Sequence, residues 1–264
     1  AAIASLVCSV VLCTTEHTTS NRRRSLKWYR PIDKWMYSRY KEIISISSAT
    51  TENLRKYIKI SCPIDTISNG IDVERYSAAV PVERKNIGCK NDTFLLMMVA
   101  GFRYQKDQDT IIRALTLLPK NVQLCLVGDG DRRVECKELV KRLNLEERVV
   151  FTGVRSDIPN VLKAADVVVM SSHLEGFGLA AVEGMAAGKP VVASDVVGLR
   201  DIVKNYGCVF PQGDERRLAE IVERLKNDSN FYKTLAGQCY LRSKDYDISK
   251  TIDSYIDVYE SIVK

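Results

Sequence analysis

The sequence predicts an α/β protein built on parallel strands, and three observations carry that prediction. Short apolar runs of strand length alternate with stretches of helical period, several of the runs end in a glycine turn, and no internal repeat or low-complexity tract breaks the alternation. The balance of residue types is that of a soluble globular protein, and 264 residues allow one large or two smaller domains.

In chain order, Ala1 to Thr14 reads as a buried strand running out at Thr15-Glu16-His17-Thr18. It has no charged leading region, so it does not resemble a signal sequence, and it is too short to span a bilayer. A helix is expected around Ile32 to Tyr40, a strand over Ile43 to Ser47, a helix from about Thr51 to Ile58, and a turn at Asn69-Gly70. A strand then leads through Val99 into a loop, and VQLCLVGDG (122–130) and VVFTGVRSD (149–157) are further strands that turn at glycine. Ala165 to Met170 is a fourth apolar run, followed by a helix from Leu179 to Ala187 that Gly188 and Pro190 stop. From Asp214 onward helical periodicity passes through Leu218, Ile221, Val222 and Leu225, then residues 232–241 and 251–263.

The stretch SSHLEGFGLAAVEGMAAGKPVVASDVVG (171–198) concentrates the chemistry. A strand, a glycine turn and a helix follow one another, which aims the open N–H groups of the first helical turn into one spot where the helix dipole favours phosphate. Gly176 and Gly178 permit close backbone approach. Glu175 and Glu183 flank the turn, and carboxylates repel phosphate, so their presence calls for a ligand that also offers hydroxyls. A nucleotide sugar has both. Glu183 is placed to take a ribose diol and Glu175 to take sugar hydroxyls; the plain alternative is a helix-leading carboxylate and a solvated helical one.

Here the chain resembles the family-4, group 1 retaining glycosyltransferases of GT-B fold, through Glu175-Gly176-Phe177-Gly178-Leu179, Glu183, Gly188, Pro190 and Val191 to Ser194. The resemblance implies a complete Rossmann-like donor domain over residues 69–246, the last part of an acceptor-side domain over 1–68, and a terminal helix over 247–264 that crosses back. Thr66 to Asp72 resembles the turn into the donor domain, and Val99 to Asp107 the loop that in relatives supplies an Arg and a Lys to the diphosphate. Lys106 matches that Lys. The usual Arg position is Gly101, and Arg103 is the substitute close enough to make a bidentate phosphate contact. The resemblance further implies that Val154 and Arg155 hold the nucleotide base through backbone groups, that His17 touches the donor sugar or its phosphate, and that Asp201 stands where relatives carry a Glu. The alternatives are ordinary ones: solvated loop charges for Arg103, Lys106 and Arg155, a strand-end histidine, and an N-capping aspartate.

Eight basic residues lie between positions 21 and 41 (Arg22, Arg23, Arg24, Lys27, Arg30, Lys34, Arg39 and Lys41) against Asp33 alone, a surplus of seven. The whole chain carries +6, so all the excess positive charge sits in this stretch, together with Trp28 and Trp35. Cations interleaved with aromatic rings suit an anionic membrane surface or a lipid-phosphate acceptor. Nucleic acid uses the same residue types, but no nucleic-acid module pattern accompanies them, and a solvated basic loop remains open.

The eight cysteines form no C-x-x-C pair and lie mostly in apolar segments, against a zinc site or a disulfide framework and for a reducing compartment. Two histidines exclude a histidine-rich metal centre. The resemblance implies no cofactor and no metal, with a UDP- or GDP-linked sugar as co-substrate, a hydroxyl acceptor on a glycan or lipid-linked oligosaccharide, and a cytoplasmic enzyme at the inner face of the membrane. Two rival functions stand beside it: a nucleotide-sugar binding module without turnover, and a GT-B-shaped nucleotide-sugar epimerase, which lacks the E-G-F-G-L…E arrangement.

Overall fold

The computed structural model describes residues 1–8, 10–17 and 26–263. In chain order the elements are β1 (Cys13–Glu16), α1 (Arg30–Tyr37), β2 (Glu42–Ser45), α2 (Ser48–Tyr57), β3 (Ile64–Thr66) and α3 (Val73–Ser77). There follow β4 (Phe94–Val99), α4 (Gln108–Leu117), β5 (Val122–Val127), α5 (Arg133–Arg142), β6 (Val149–Gly153), α6 (Ile158–Ala164) and β7 (Val167–Met170). The chain ends through α7 (Leu179–Ala186), β8 (Val191–Ser194), α8 (Val197–Val203), β9 (Cys208–Phe210), α9 (Glu215–Asn227), α10 (Ser229–Ser243) and α11 (Ile248–Val263). They form two compact units, one of Ala1–Gly70 with Ile248–Lys264 and one of Ile71–Asp247.

In the smaller unit three parallel strands lie in the order β1-β2-β3. One face buries Ile43 against Tyr37, Leu54, Tyr57 and Ile58 of α1, α2 and the residue after α2. The other buries Ile44 and Ile67 under Val258 of α11. Two apolar faces on one sheet explain why Ile43 and Ile44 are adjacent. α2 begins at Ser47, whose hydroxyl accepts the Thr50 amide at 3.2 Å. The expected fourteen-residue strand at the start is four residues long. Ala4–Leu6 makes a 3-10 turn and Val7 is 86% exposed. Apolar content alone does not fix strand length; β1 extends only as far as its pairing with Glu42–Ser45. Helix α1 starts two residues earlier than its periodicity suggests because Pro31 fits a first turn, where no N–H is needed.

The larger unit holds six parallel strands in the order β6-β5-β4-β7-β8-β9. All residues of β5, β7 and β8 are buried, as strands covered by helices on both faces must be. The chain runs from β4 outward to β5 and β6, then returns to the other side of β4 as β7 and proceeds to β8 and β9. The topological switch point is therefore between β4 and β7, where the loops at the strands' carboxyl ends diverge and leave a crevice. Side-chain caps fix where flanking helices begin: Asp72 accepts the Arg75 amide, Asp107 the Thr110 amide, and Asp214 the Arg217 amide.

Helix α7 lies close on β7 because Gly184 has no side chain. A Cβ there would stand 2.9 Å from Cγ1 of Val168, a β-branched residue with little rotamer freedom. Overpacking of this kind costs about 1–3 kcal/mol, whereas Gly to Ala inside a helix gains about 1 kcal/mol. Gly184→Ala is therefore expected to lower the stability of the larger unit by roughly 1 kcal/mol in urea denaturation; a raised midpoint would contradict the packing described.

Candidate donor-binding site

The loops after β4 (residues 100–107) and β7 (171–178) are sewn together at the switch point. The buried Ser171 hydroxyl donates to the Asp107 carbonyl at 2.6 Å, and the amides of His173 and Leu174 both donate to the Gln105 carbonyl, at 2.8 and 3.3 Å. Asp107 takes a left-handed backbone, φ 49°, which Asp tolerates because its short side chain bonds locally; here it caps α4 through Thr110. This seam brings Lys106 and Glu175 together: Nζ donates to Oε2 at 2.5 Å, and the Ser172 hydroxyl reaches the same oxygen at 3.5 Å.

Glu175 stands directly ahead of α7. Gly178, the residue before the helix, has φ 104°, a conformation side chains rarely adopt, and a Cβ there would press on Leu199 Cδ2 at 2.6 Å. Gly198 is equally constrained, since a Cβ would fall 2.3 Å from the Glu175 carbonyl oxygen. The two glycines let α8 close on the Glu175–Gly178 loop. With glycine at the N-cap no side chain caps α7, and among the described residues the Leu179 and Ala180 amides have no acceptor. Open amides, an ammonium and a carboxylate thus meet at one helix N-terminus; the amides and the ammonium attract phosphate, and the carboxylate opposes it.

The remaining predicted residues are placed unequally. Phe177 is buried edge-on against Tyr246, centroids 5.5 Å apart, so it can offer a ligand only its backbone. Arg103 is exposed, and its Nε lies 3.9 Å from where a side chain on Gly101 would begin, so the guanidinium reaches back over the position at which relatives were expected to carry Arg. Val154 is 79% exposed. Arg155 forms a two-pronged pair with Asp157, at 2.8 and 2.7 Å, so its guanidinium is engaged by its own loop. His17 belongs to the smaller unit, exposed one residue past β1. Arg22, Arg23 and Arg24 lie outside the described residues.

Glu183 projects from α7 into a half-buried position where Oε1 accepts the Tyr76 hydroxyl of α3 at 2.8 Å. Burial raises its carboxyl above the ordinary range, partly offset by the Tyr76 hydrogen bond and the Arg75 charge. Tyr76 is a partner that sequence reasoning missed, as are three groups around His173. Its Nδ1 lies 3.5 Å from Asp107 Oδ2 and 2.9 Å from Gln212 Nε2, and its ring packs against Tyr104. The imidazole thereby joins the loops after β4, β7 and β9. No spacing in the sequence signals such a contact. Among the described residues no cluster of three or more His, Cys, Asp or Glu side chains is arranged to hold a metal ion.

Residues 80–240 match the family model described as glycosyl transferases group 1. The chain belongs to the group 1 glycosyl transferases. Residues 1–75 of this group 1 glycosyl transferase also match the model described as glycosyltransferase family 4. Its fold is shared with Anabaena HepE in complex with UDP-glucose, at a TM-score of 0.88 and 26% identity, covering 98% of this chain and 75% of that one. An Escherichia coli UDP-Gal:alpha-D-GlcNAc-diphosphoundecaprenol alpha-1,3-galactosyltransferase is 30% identical over 215 residues, 76% of this chain and 54% of the relative. The Bacillus anthracis N-acetyl-alpha-D-glucosaminyl L-malate synthase is 24% identical over 230 residues, 84% of this chain and 60% of the relative. The chain spans between 52% and 64% of the length of the first curated relatives it matches.

Because burial raises the folded-state pKa of Glu183, folding favours its protonated form. That contribution to stability is present below the ordinary carboxylate pKa and is lost as pH rises through the higher folded value. Glu183→Gln is expected to unfold at a higher urea concentration than the native protein at about pH 7, with the difference shrinking toward about pH 4. A variant less stable than the native protein at every pH would show that the carboxylate is not held against its hydration.

Proposed function

We propose that the chain is the donor-binding part of a retaining glycosyltransferase that moves a sugar from a nucleotide diphosphate, UDP-linked by preference, to a hydroxyl of a glycan or lipid-linked acceptor. The observation that carries the proposal is the meeting of Lys106, Glu175 and the open amides of Leu179 and Ala180 at the switch point, with Glu183 one turn deeper. The UDP-glucose complex of HepE and the diphosphoundecaprenol-linked acceptor in the name of the E. coli relative support the substrate classes.

In this reading the diphosphate draws Lys106 from Glu175, with Arg103 closing from the Gly101 side and the α7 amides receiving the phosphate oxygens. Charge that develops on the leaving diphosphate then meets donors already in position. Glu175, released from Lys106, accepts hydroxyls of the sugar ring, and Glu183 accepts the ribose diol. The leaving phosphate oxygen takes the acceptor's proton from the same face, so retention needs no protein nucleophile. His17 is assigned to the donor sugar or its phosphate, and the backbone at Val154 and Arg155 to the base. No resident cofactor or metal takes part.

A membrane-facing role for residues 21–41 is part of the proposal. Asp33 and Tyr37 of α1 are buried, with Tyr57 donating to Asp33 at 2.8 Å. The same helix exposes Ile32 and Trp35 one turn apart and Arg30 and Lys34 one turn apart, and Trp28, just ahead of it, is 63% exposed. Aromatic and aliphatic groups beside cations match the headgroup boundary of an anionic bilayer. Lys41 is not part of this face, because its ammonium donates to the Ile262 carbonyl in the last turn of α11 at 2.7 Å. Among the described residues no helix is long and apolar enough to cross a membrane.

In a thermal-shift panel UDP is expected to raise the melting temperature, with GDP and ADP weaker; in titration calorimetry Glu183→Ala should weaken UDP binding roughly tenfold or more. Glu175→Ala should leave UDP binding within about threefold while removing the advantage of UDP-glucose over UDP and lowering sugar transfer. Indifference of both variants in calorimetry and in transfer would refute the assignment. In flotation assays the protein is expected to rise with vesicles rich in anionic lipid and to remain below with zwitterionic ones. Charge reversal of Arg30, Lys34 and Arg39 should abolish flotation, and unchanged flotation would remove the membrane from the proposal.

A further inference from the structure

We infer that Tyr76 is a positioning residue whose hydroxyl fixes one oxygen of Glu183 and turns the other toward the nucleotide. The inference rests on the reading that Glu183 accepts the ribose diol. Tyr76 OH donates to Glu183 Oε1 at 2.8 Å, while Glu183 Oε2 has no partner among the described residues. A ribose diol offers two donors to one carboxylate, and a carboxylate free to rotate would lose entropy on accepting both. Anchoring Oε1 removes that cost before the nucleotide arrives.

The surroundings make the anchor specific. Tyr76 sits on the five-residue helix α3, which Asp72 caps and which packs on both α6 and α7, so the phenol is carried by the donor unit itself. Its ring is nine-tenths buried, and the hydroxyl spends its proton on Glu183. The groups acting electrostatically on Glu183 are Tyr76 and Arg75, both from α3. The hydrogen bond favours the ionised carboxylate, and burial opposes it.

Tyr76→Phe keeps the buried ring and removes only the donor. Calorimetry with UDP and with 2′-deoxyuridine diphosphate, repeated across pH, tests the inference on the 264-residue chain. The variant is expected to bind UDP about 3- to 10-fold more weakly, to lose most of the native preference for UDP over the 2′-deoxy analogue, and to show an acid limb of UDP binding displaced to higher pH. Equal loss for both nucleotides with an unmoved acid limb would reduce Tyr76 to a packing residue and overturn the inference. So would native affinity in Tyr76→Phe beside weakened binding in Glu183→Ala. Undiminished UDP binding in Glu183→Ala is a different result, since it removes the ribose role of Glu183 on which the inference stands.

Discussion

The seam between the loops after β4 and β7 is the constraint on which the site depends. Lys106 and Glu175 are 69 residues apart in the chain, and nothing local sets their separation. Ser171, wholly buried, fixes it by donating to the Asp107 carbonyl, and the His173 and Leu174 amides fix it again at Gln105. These are cheap bonds in conformational terms, because a serine and backbone groups surrender little rotamer freedom. The ion pair itself is a poor candidate for holding the loops. Charges partly withdrawn from water repay little of their lost hydration through mutual attraction, so the pair is better read as a product of the seam than its cause.

The same economy appears around α7. Three of the glycines there serve close contact, Gly178 in addition to its positive φ: Gly178 makes room for Leu199, Gly198 for the Glu175 carbonyl, and Gly184 for Val168. Together they press α7 between β7 and α8 with its first turn bare. A side-chain cap at position 178 would have taken up one of the amides now open.

Much of this was legible in the chain. β5, β7 and β8 read as unbroken apolar runs because helices cover both faces of the sheet, and α7 was bounded because Gly188 and Pro190 stop it. Glu175 and Glu183 were singled out by their spacing about a glycine turn, which is local and survives in sequence, and Lys106 only by the resemblance of its loop to that of relatives. Contacts that depend on how distant loops meet left no such trace: Tyr76 touches Glu183 across 107 residues, and His173 meets Gln212 across 39. The length of β1 is not legible for a related reason, since a strand's extent belongs to its neighbour as much as to itself. The pairing of Arg155 with Asp157 was available two residues away, yet periodicity has nothing to say about a loop.

The pairing of Lys106 with Glu175 also bears on which anions the proposed site would refuse. An anion arriving alone can take the ammonium only by stranding a carboxylate beside its own negative charge, so orthophosphate and other small competitors gain little there. A ligand that brings hydroxyls along with its phosphates consoles both partners at once. In the proposed reading the ion pair therefore discriminates between anions by what they carry besides their charge.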